Sequence, residues 1–261
     1  MMLSRAKVKY LRSLKLKKFR DEEKKFVVEG FRLTSEAISS DFEVELLVHM
    51  SEFTKNPEHA KLIESCRKRK VEVAEASRRD LDSFADTVTS QGVAALVQQH
   101  EYRLEDLSRS AQRPQVIVAL DAVSEPGNAG TIIRTADWFG VSAVLMGRGG
   151  VELYNPKVVR STMGSLFHLP IVTEANLSEL LNKLRGQGFT VIAADVAAKQ
   201  SYDEIPIPEK TVLIFGNEAH GLSSEISNQI DHRVMIRRLG KAESLNVGVA
   251  CGILLAHLCA R

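Results

Sequence analysis

The sequence predicts two α/β domains, a small N-terminal one and a second one built on a mostly parallel sheet. At 261 residues the chain is too long for one average domain and long enough for two. From residue 26 onward, short runs rich in β-forming residues alternate with helical patterns. After residue 115 the strand segments are apolar at most positions, which is typical of a parallel sheet covered on both faces.

The first domain shows this alternation from residue 26 to residue 100. Strands are predicted at residues 26–28, 44–48, 71–73 and 93–97, and helices at 31–40, 58–69 and 77–84. The last strand follows Ser90, Gln91 and Gly92, which favour a turn. Residues 101–114 are polar and lose the periodicity, so we expect a linker there, between a domain of residues 1–100 and one of residues 115–261.

The second domain has longer apolar strands. They are predicted at residues 116–120, 143–146, 191–194, 212–215 and 234–236, with helices at 130–139, 177–185, 223–229 and 245–259. The final helix carries an apolar stripe at Val247, Ala250, Cys251, Leu254 and Leu258. Packing within one subunit or against a second copy would cover this stripe equally well.

Composition excludes several classes of protein. Hydrophobic residues make up 44% and charged residues 26%, and no apolar run reaches the length of about 18 residues that a membrane span needs. The cysteines Cys66, Cys251 and Cys259 lack the spacing of a disulfide framework or zinc site, which suits a reducing, cytoplasmic compartment. The histidines are scattered, so we expect no bound metal.

The N-terminus is strongly basic. Residues 1–20 contain no acid and eight basic residues, namely Arg5, Lys7, Lys9, Arg12, Lys15, Lys17, Lys18 and Arg20. A solvated terminus or an organelle transit peptide would also be basic. The stretch runs directly into the patterned residues 26–30 without a small-residue cleavage region, which argues against transit. We therefore expect these side chains to contact RNA phosphate.

Residues 121–137 are the segment richest in candidate site residues. They follow the first strand of the second domain and pass through a Pro-Gly turn into a helix, the usual place for a site on an open α/β sheet. Asn128 lies in the loop or first helical turn, where its amide can bind a ligand or cap the helix. The apolar stripe of the helix leaves Arg134 pointing elsewhere. Taken alone, Asn128 would be a cap and Arg134 a surface charge.

Two later segments repeat the arrangement of polar residues after an apolar strand. Residues 214–222 place Gly, Asn and Glu directly after one strand, and residues 239–247 place Ser244 and Asn246 at the start of the last helix, beside its free N–H groups. Three such segments are more than solvent-facing turns need. They imply a shared pocket.

Together the three segments resemble the SpoU family of RNA ribose 2′-O-methyltransferases, part of the SPOUT superfamily. The matching motifs are, in order, Asn-Ala-Gly-Thr-Ile-Ile-Arg-Thr-Ala at 128–136, Gly-Asn-Glu-Ala-His-Gly-Leu at 216–222 and Ser-Leu-Asn-Val at 244–247. Residues 155–165 resemble the family's segment between its first two motifs. Residues 18–23, 26–30 and 87–92 resemble its RNA-binding extension, so the resemblance covers nearly the whole chain.

The resemblance implies a fold and an activity. The fold is a C-terminal α/β domain with a deep trefoil knot, joined to a small α/β RNA-binding domain similar to a ribosomal protein; the pattern of strands alone predicts an unknotted sheet. The implied activity is S-adenosylmethionine-dependent methylation of a ribose 2′-hydroxyl in structured RNA, by a homodimer. Ribosomal RNA is favoured because the N-terminal extension is typical of enzymes that act on it, and tRNA stays open.

The resemblance also implies roles for individual residues. It gives catalytic roles to Asn128, Arg134, Glu218, Ser244 and Asn246, cofactor contacts to Leu145, Gly216, Asn217, Ile236, Leu245 and Asn246, and RNA contact to Arg160. A guanidinium is almost never deprotonated in proteins, so we expect Arg134 to bind phosphate and stabilise charge rather than to act as a base.

One departure and two rival functions accompany the resemblance. Arg237 and Arg238 stand where the family usually has Pro and an apolar residue, which would loosen the cofactor loop or add phosphate contacts. The first rival is a non-catalytic RNA-binding protein, against which the five retained catalytic positions argue. The second is a methyltransferase acting on a base or on a small antibiotic-like molecule, against which the Asn, Arg and Ser-Leu-Asn pattern argues.

Overall fold

The computed structural model describes residues 1–85, 90–103 and 115–259, which form two compact units. The first unit comprises Met1–His100 and Tyr154–His168, and the second comprises Glu101–Leu153 and Leu169–Arg261. The sequence predicted a division between residues 100 and 115, but not that Tyr154–His168 belongs to the first unit. Most of the predicted linker, at 104–114, and residues 87–89 of the N-terminal resemblance lie outside the described residues.

The helices and strands follow one another in mixed order along the chain. The helices are α1 (Arg5–Ser13), α2 (Lys17–Glu23), α3 (Phe31–Ser39), α4 (Pro57–Lys68), α5 (Arg78–Phe84), α6 (Pro126–Trp138), α7 (Pro156–Ser161), α8 (Leu177–Gly186), α9 (Ser224–Ser227) and α10 (Val247–Cys259). The strands are β1 (Lys25–Glu29), β2 (Val44–His49), β3 (Glu72–Glu75), β4 (Val93–Gln98), β5 (Gln115–Leu120), β6 (Ala143–Gly147), β7 (Ile171–Ala175), β8 (Thr190–Ala194), β9 (Gln200–Ser201), β10 (Lys210–Phe215) and β11 (His232–Met235). Every predicted strand and helix is present, and the structure adds α1, α2, α7, β7 and β9.

The first unit is built on a four-stranded sheet in the order β1-β4-β2-β3. The pairs β1–β4 and β4–β2 are antiparallel, and β2–β3 is parallel. One face of the sheet packs on α1 and α5 through a cluster that includes Leu11, Leu46 and Leu81, each almost completely buried. Burial of such side chains contributes roughly 1.5 to 3 kcal/mol each, so α1 is a packed part of this unit and not a frayed terminus.

The second unit contains a seven-stranded sheet in the order β7-β6-β5-β10-β8-β11-β9. All its strand pairs are parallel, as the apolar strands predicted. The central strands β5 and β10 are buried at every position after their first residue, as expected for a parallel sheet covered on both faces.

The parallel arrangement fixes where a site can form. Because the strands run in one direction, the loops that follow β5, β10 and β11 all leave from the same edge of the sheet. Helices α6 and α10, which follow two of these loops, pack against each other. None of the helices in the described ranges combines the length and apolarity needed to span a membrane.

Candidate functional site

The loop after β5 positions Asn128 in the first turn of α6. Pro126 lies at the start of this helix, where the missing N–H of proline costs nothing. The cap is the Glu125 carboxylate, which accepts the backbone N–H of Asn128 at 2.6 Å. Asn128 is therefore not the capping residue, and its side-chain amide is available for other contacts.

The loop after β10 forms a tight turn from Asn217 to Gly221. The backbone N–H of each of these residues donates to the carbonyl of the other at 2.9 Å. The Asn217 side chain accepts the N–H groups of Ala219 at 2.9 Å and His220 at 3.1 Å, and donates to the Ala122 carbonyl at 2.9 Å. These bonds fix the turn and join it to the loop after β5.

Asn246 directly precedes α10 and links that helix to α6. Its Oδ1 accepts the N–H groups of Gly248 at 2.9 Å and Val249 at 3.3 Å, so it caps the helix. Its Nδ2 donates to Asn128 Oδ1 at 2.8 Å. Since the helix cap fixes which atom is the oxygen, the amide of Asn246 has only one orientation, with the NH₂ facing Asn128.

A directed chain of hydrogen bonds joins the three motifs. Asn246 donates to Asn128, and Asn128 Nδ2 donates in turn to Glu218 Oε1 at 2.9 Å. Glu218 also accepts the N–H and the hydroxyl of Ser124, both at 3.2 Å, and the N–H of Glu125 at 3.3 Å. Three segments far apart in sequence thus form one polar constellation.

The hydrogen bonds to Glu218 keep it ionised. Partial burial acts to raise its pKa, but the bonds from the Asn128 amide and from backbone N–H groups, including those of Ser124 and Glu125, outweigh burial and lower the pKa below its usual value. Glu218 is therefore a carboxylate at neutral pH, with its oxygens already engaged as acceptors.

A cavity of about 750 Å³ lies beside this constellation, within the second unit. It is lined by Asn128, by the turn after β10 from Gly216 to Leu222, and by the segments around Ile236 and Leu245. This volume is typical of a site for a molecule of nucleoside size or larger. The lining combines apolar side chains with backbone groups at strand ends.

Comparison with known proteins identifies the family. Residues 115–256 match the sequence profile described as the SpoU rRNA Methylase family. The chain belongs to this family. It is a methyltransferase, and its cofactor is S-adenosylmethionine. Residues 5–95 match a second profile, the MRM3-like substrate binding domain, which corresponds to most of the first compact unit.

Relatives of this SpoU methylase are similar over most of its length. It is 34% identical over 252 residues to the 23S rRNA (guanosine(2553)-2′-O)-methyltransferase RlmP of Bacillus subtilis, covering 97% of this chain and 95% of the relative. It is 31% identical over 212 residues to the 23S rRNA (guanosine-2′-O-)-methyltransferase RlmB of Pseudomonas putida, covering 80% and 85%. A crystal structure of an AdoMet-bound rRNA methyltransferase from Sinorhizobium meliloti superposes with a TM-score of 0.87 at 31% identity, covering 99% of this chain and 95% of that one.

Most of the expected cofactor contacts line the cavity, and one does not. Gly216, Asn217, Ile236, Leu245 and Asn246 all line it. Leu145 is 0% exposed in the core of the second unit, and its position in β6 pairs with Ala119 of β5 and Val172 of β7. The resemblance implies a contact through backbone groups near Leu145, which the burial of its side chain does not test, so this contact stays a prediction.

Two of the expected catalytic residues stand apart from the constellation. Ser244 lines the cavity but is exposed, on the loop before α10. Arg134 is exposed on α6, and no hydrogen bond or ion pair joins it to another described residue. It does not line the cavity of its own chain. Its predicted role at the reacting hydroxyl therefore requires a second molecule whose cavity Arg134 can approach.

The expected RNA-contacting residues lie in the first unit, with one correction. Arg5, Lys9, Arg12, Lys17 and Lys18 are exposed, Lys7 pairs with Glu72, and Arg160 is half-buried in α7. Arg20 is only 3% exposed, and its guanidinium donates to the carbonyls of Leu14 at 2.8 Å and Lys15 at 2.7 Å. A guanidinium used this way holds the turn between α1 and α2 and cannot reach phosphate.

The arginines that depart from the family pattern have partners in the second unit. Arg237 donates to Glu204 at 2.7 Å and lies 3.6 Å from Asp203, while Arg238 donates to the carbonyl of Ala242 in its own loop, at 3.4 Å. The ion pair ties the start of the loop before α10 to the segment after β9. Both side chains of this pair are about half exposed, so it is a weak restraint, and the effect of the two arginines on cofactor affinity stays a prediction.

Sequence reasoning did not single out Ser124 and Glu125, which bind Glu218 and cap α6. Both lie in the loop after β5. Their position directly after an apolar strand is the signal that could have identified them as site residues. It also passed over Asp195, directly after β8 and paired with Arg233 at 2.9 Å. Within the described ranges, no cluster of His, Cys, Asp or Glu side chains has the makeup of a metal site.

Proposed function

We propose that this chain methylates a ribose 2′-hydroxyl of ribosomal RNA. The observation that carries the proposal is the hydrogen-bonded series from Asn246 through Asn128 to Glu218, beside a cavity of about 750 Å³. The relatives RlmP and RlmB are named for 2′-O-methylation of guanosine in 23S rRNA. The same reaction on the same class of RNA is therefore the best-supported assignment.

The cavity suits the cofactor. S-adenosylmethionine supplies a methyl group carried on a positively charged sulfur. Gly216 and Ile236, directly after β10 and β11, and Leu245, in the loop before α10, would hold it through backbone groups, with Asn217 beside them. The apolar side chains of Met235, Leu222 and Leu254 line the same cavity and would face its less polar parts.

The constellation suits an orienting role. Glu218 uses its oxygens to hold Asn128, and Asn246 fixes the other side of the Asn128 amide. Asn128 is thereby held rigidly at the wall of the cavity, where it can orient a ribose. The exposed hydroxyl of Ser244 lines the same cavity and would contact substrate or cofactor.

The position of Arg134 supports a homodimer. Trp138, 84% exposed, lies one helical turn from Arg134 on α6, and α10 beside it exposes Val249 at 52%. Exposed apolar side chains on two helices that pack together favour a surface that another molecule covers. If a second copy of this chain covers it, Arg134 lies in the interface, where it can approach the partner's cavity and bind substrate phosphate.

The first unit would hold the RNA. Arg5, Lys9 and Arg12 lie on one face of α1, and Arg160 belongs to the same compact unit although it comes much later in the chain. Phosphate contacts from such a surface provide affinity without reading sequence. A cytoplasmic location belongs to the same proposal, because ribosomal RNA is modified where ribosomes are assembled.

Methyl transfer from labelled S-adenosylmethionine to unmodified ribosomal and transfer RNA, followed by digestion and mass spectrometry, tests the proposal. We expect a 2′-O-methylnucleoside from ribosomal RNA, lost in Asn128→Asp, which breaks the bond to Glu218, and kept in Asn182→Asp, an equivalent change on the exposed face of α8. A methylated base, label in transfer RNA only, or RNA binding without label would each overturn it.

A further inference from the structure

Methylation of a 2′-hydroxyl releases a proton, and the constellation described above does not explain where it goes. This question rests on the proposed function. Among the described residues that line the cavity, those with ionisable side chains are Asp195, Glu218, His220 and Arg233. The guanidinium of Arg134 has no lone pair to accept a proton, which leaves one of these groups or water as the acceptor.

Three of these four side chains are poorly suited to accept a proton. Asp195 accepts the N–H of Ala197 at 2.8 Å and forms an ion pair with Arg233 at 2.9 Å. Arg233 is a cation without an acceptor lone pair. Glu218 accepts four hydrogen bonds. Partial burial acts to raise its pKa, but the bonds from the Asn128 amide and from backbone N–H groups lower it below the usual value, so Glu218 is a weak base. On the neighbouring loop after β5, Asp121 accepts the N–H of Ser223 at 2.6 Å and Glu125 caps α6.

His220 differs from these groups. Its backbone is fixed because its N–H donates to Asn217 and because the turn closes through the pair Asn217–Gly221. The turn also packs tightly on the end of β10: a Cβ at Gly216 would lie 2.4 Å from the carbonyl carbon of Gly221. The imidazole itself is exposed and makes no hydrogen bond or ion pair to another described residue.

We infer that His220 accepts the proton of the ribose 2′-hydroxyl during methyl transfer. As the new O–CH₃ bond forms, the O–H bond breaks, the hydroxyl proton moves to the free imidazole nitrogen, and the bonding electrons stay on oxygen. The C–S bond breaks with its electron pair going to sulfur, so the sulfonium becomes a neutral thioether. His220 becomes an imidazolium and returns its proton to solvent. Imidazole is the side chain whose ordinary titration range suits this exchange near neutral pH.

The test is the single-turnover rate of 2′-O-methylation between about pH 5 and about pH 8. In the unmodified protein the rate rises with pH, because a protonated imidazole cannot accept a proton. His220→Gln loses roughly 100-fold in rate and the rising limb of the profile, in line with the usual contribution of a general base. S-adenosylmethionine binding, measured by calorimetry, stays within a factor of about 2 of the unmodified protein, since the fold of the turn depends on the backbone of residue 220.

A second readout does not depend on turnover. The ring protons of His220, followed by NMR as pH is varied, should titrate with the same midpoint as the rate in the presence of RNA and the demethylated cofactor. His232→Gln is the matched control, since His232 lies in the same unit and does not line the cavity, and it should leave rate and profile unchanged.

The outcomes separate this inference from the proposed function. If the unmodified protein forms 2′-O-methylribose and His220→Gln keeps both its rate and its pH profile, the inference is wrong and the proposed function stands. A kinetic midpoint that differs from the NMR midpoint also overturns the inference. If the unmodified protein forms no 2′-O-methylribose at any pH, the proposed function fails and the inference with it.

Discussion

Asn246 performs two tasks with the two ends of one amide. Its oxygen caps α10 through the N–H groups of Gly248 and Val249, and its nitrogen holds Asn128. Stability and site geometry therefore depend on different atoms of the same side chain, and substitutions can separate them.

We expect Asn246→Ala and Asn246→Asp to differ in stability but not in activity. Alanine removes the cap and should lower the free energy of unfolding by about 1 kcal/mol, whereas aspartate is an equally good cap. Both lose the amide that holds Asn128, so both should lose at least about tenfold in methylation rate, the equivalent of one hydrogen bond. Urea unfolding and single-turnover kinetics measure the two effects. Full activity in Asn246→Asp would show that the bond to Asn128 is dispensable.

The sequence identified Asn128, Glu218 and Asn246 but not how they bind one another. The bonds join residues separated by 90 and 118 positions. Local patterns show only that each residue follows a strand or begins a helix, and which loops meet is decided by the strand order. The cap of α6 illustrates the limit, because Asn128 was a plausible cap until the structure placed Glu125 there.

The contact between α6 and α10 positions Asn128 and Asn246, because each lies in or next to the first turn of one of these helices. Gly248 lies at the end of this contact where α10 is closer to α6. A Cβ added to Gly248 would lie 2.9 Å from Thr131 Cγ2. At Gly252, one turn later, the nearest atom would be Thr135 Cγ2 at 3.8 Å, an ordinary contact.

We expect alanine to have opposite effects at these two glycines. Gly252→Ala should raise the free energy of unfolding by up to about 1 kcal/mol, because alanine is the better helix former and fits. Gly248→Ala should lower both stability and methylation, because the helices must separate at the end that holds Asn246. Thermal unfolding and the methylation assay measure this, and equal stabilisation by both substitutions would contradict the close approach.

The elements that the sequence missed are those with weak patterns. β7 has two exposed residues in the middle, Thr173 and Glu174, and β9 has only two residues. α1 was hidden by its charge, because its apolar positions Val8, Leu11 and Leu14 at its end are spaced between lysines and arginines. The trefoil knot was implied by the resemblance and stays a prediction.

The division of the whole molecule separates the residues predicted to contact RNA from those predicted to carry the chemistry. The first unit contains the basic helix α1 and Arg160, and the second contains the cavity and the constellation. The sequence could not place the segment Tyr154–His168 in the first unit. Its assignment rests on tertiary contacts, such as the ring of Tyr154 at 4.5 Å from that of Phe26.

Removing charge from α1 should weaken RNA binding without changing the chemistry. Arg5→Gln with Arg12→Gln removes two exposed cations that lie seven positions apart on one face of α1. Each RNA phosphate that the variant no longer binds should reduce the slope of log affinity against log salt by about 0.7 to 0.9. The control is Lys61→Gln with Arg67→Gln, which removes two exposed cations from α4 of the same unit and leaves the ion pair of Lys68 with Glu64 intact. Filter binding to ribosomal RNA across a salt series measures the slopes, and single-turnover rates at saturating RNA should be equal for both variants.

If both pairs reduce the slope equally, net charge and not the α1 surface governs binding. If only the α1 pair does so, the surface that recruits RNA is the one that the basic N-terminus predicted, with Arg20 left as the buried residue that holds the turn after α1 in place.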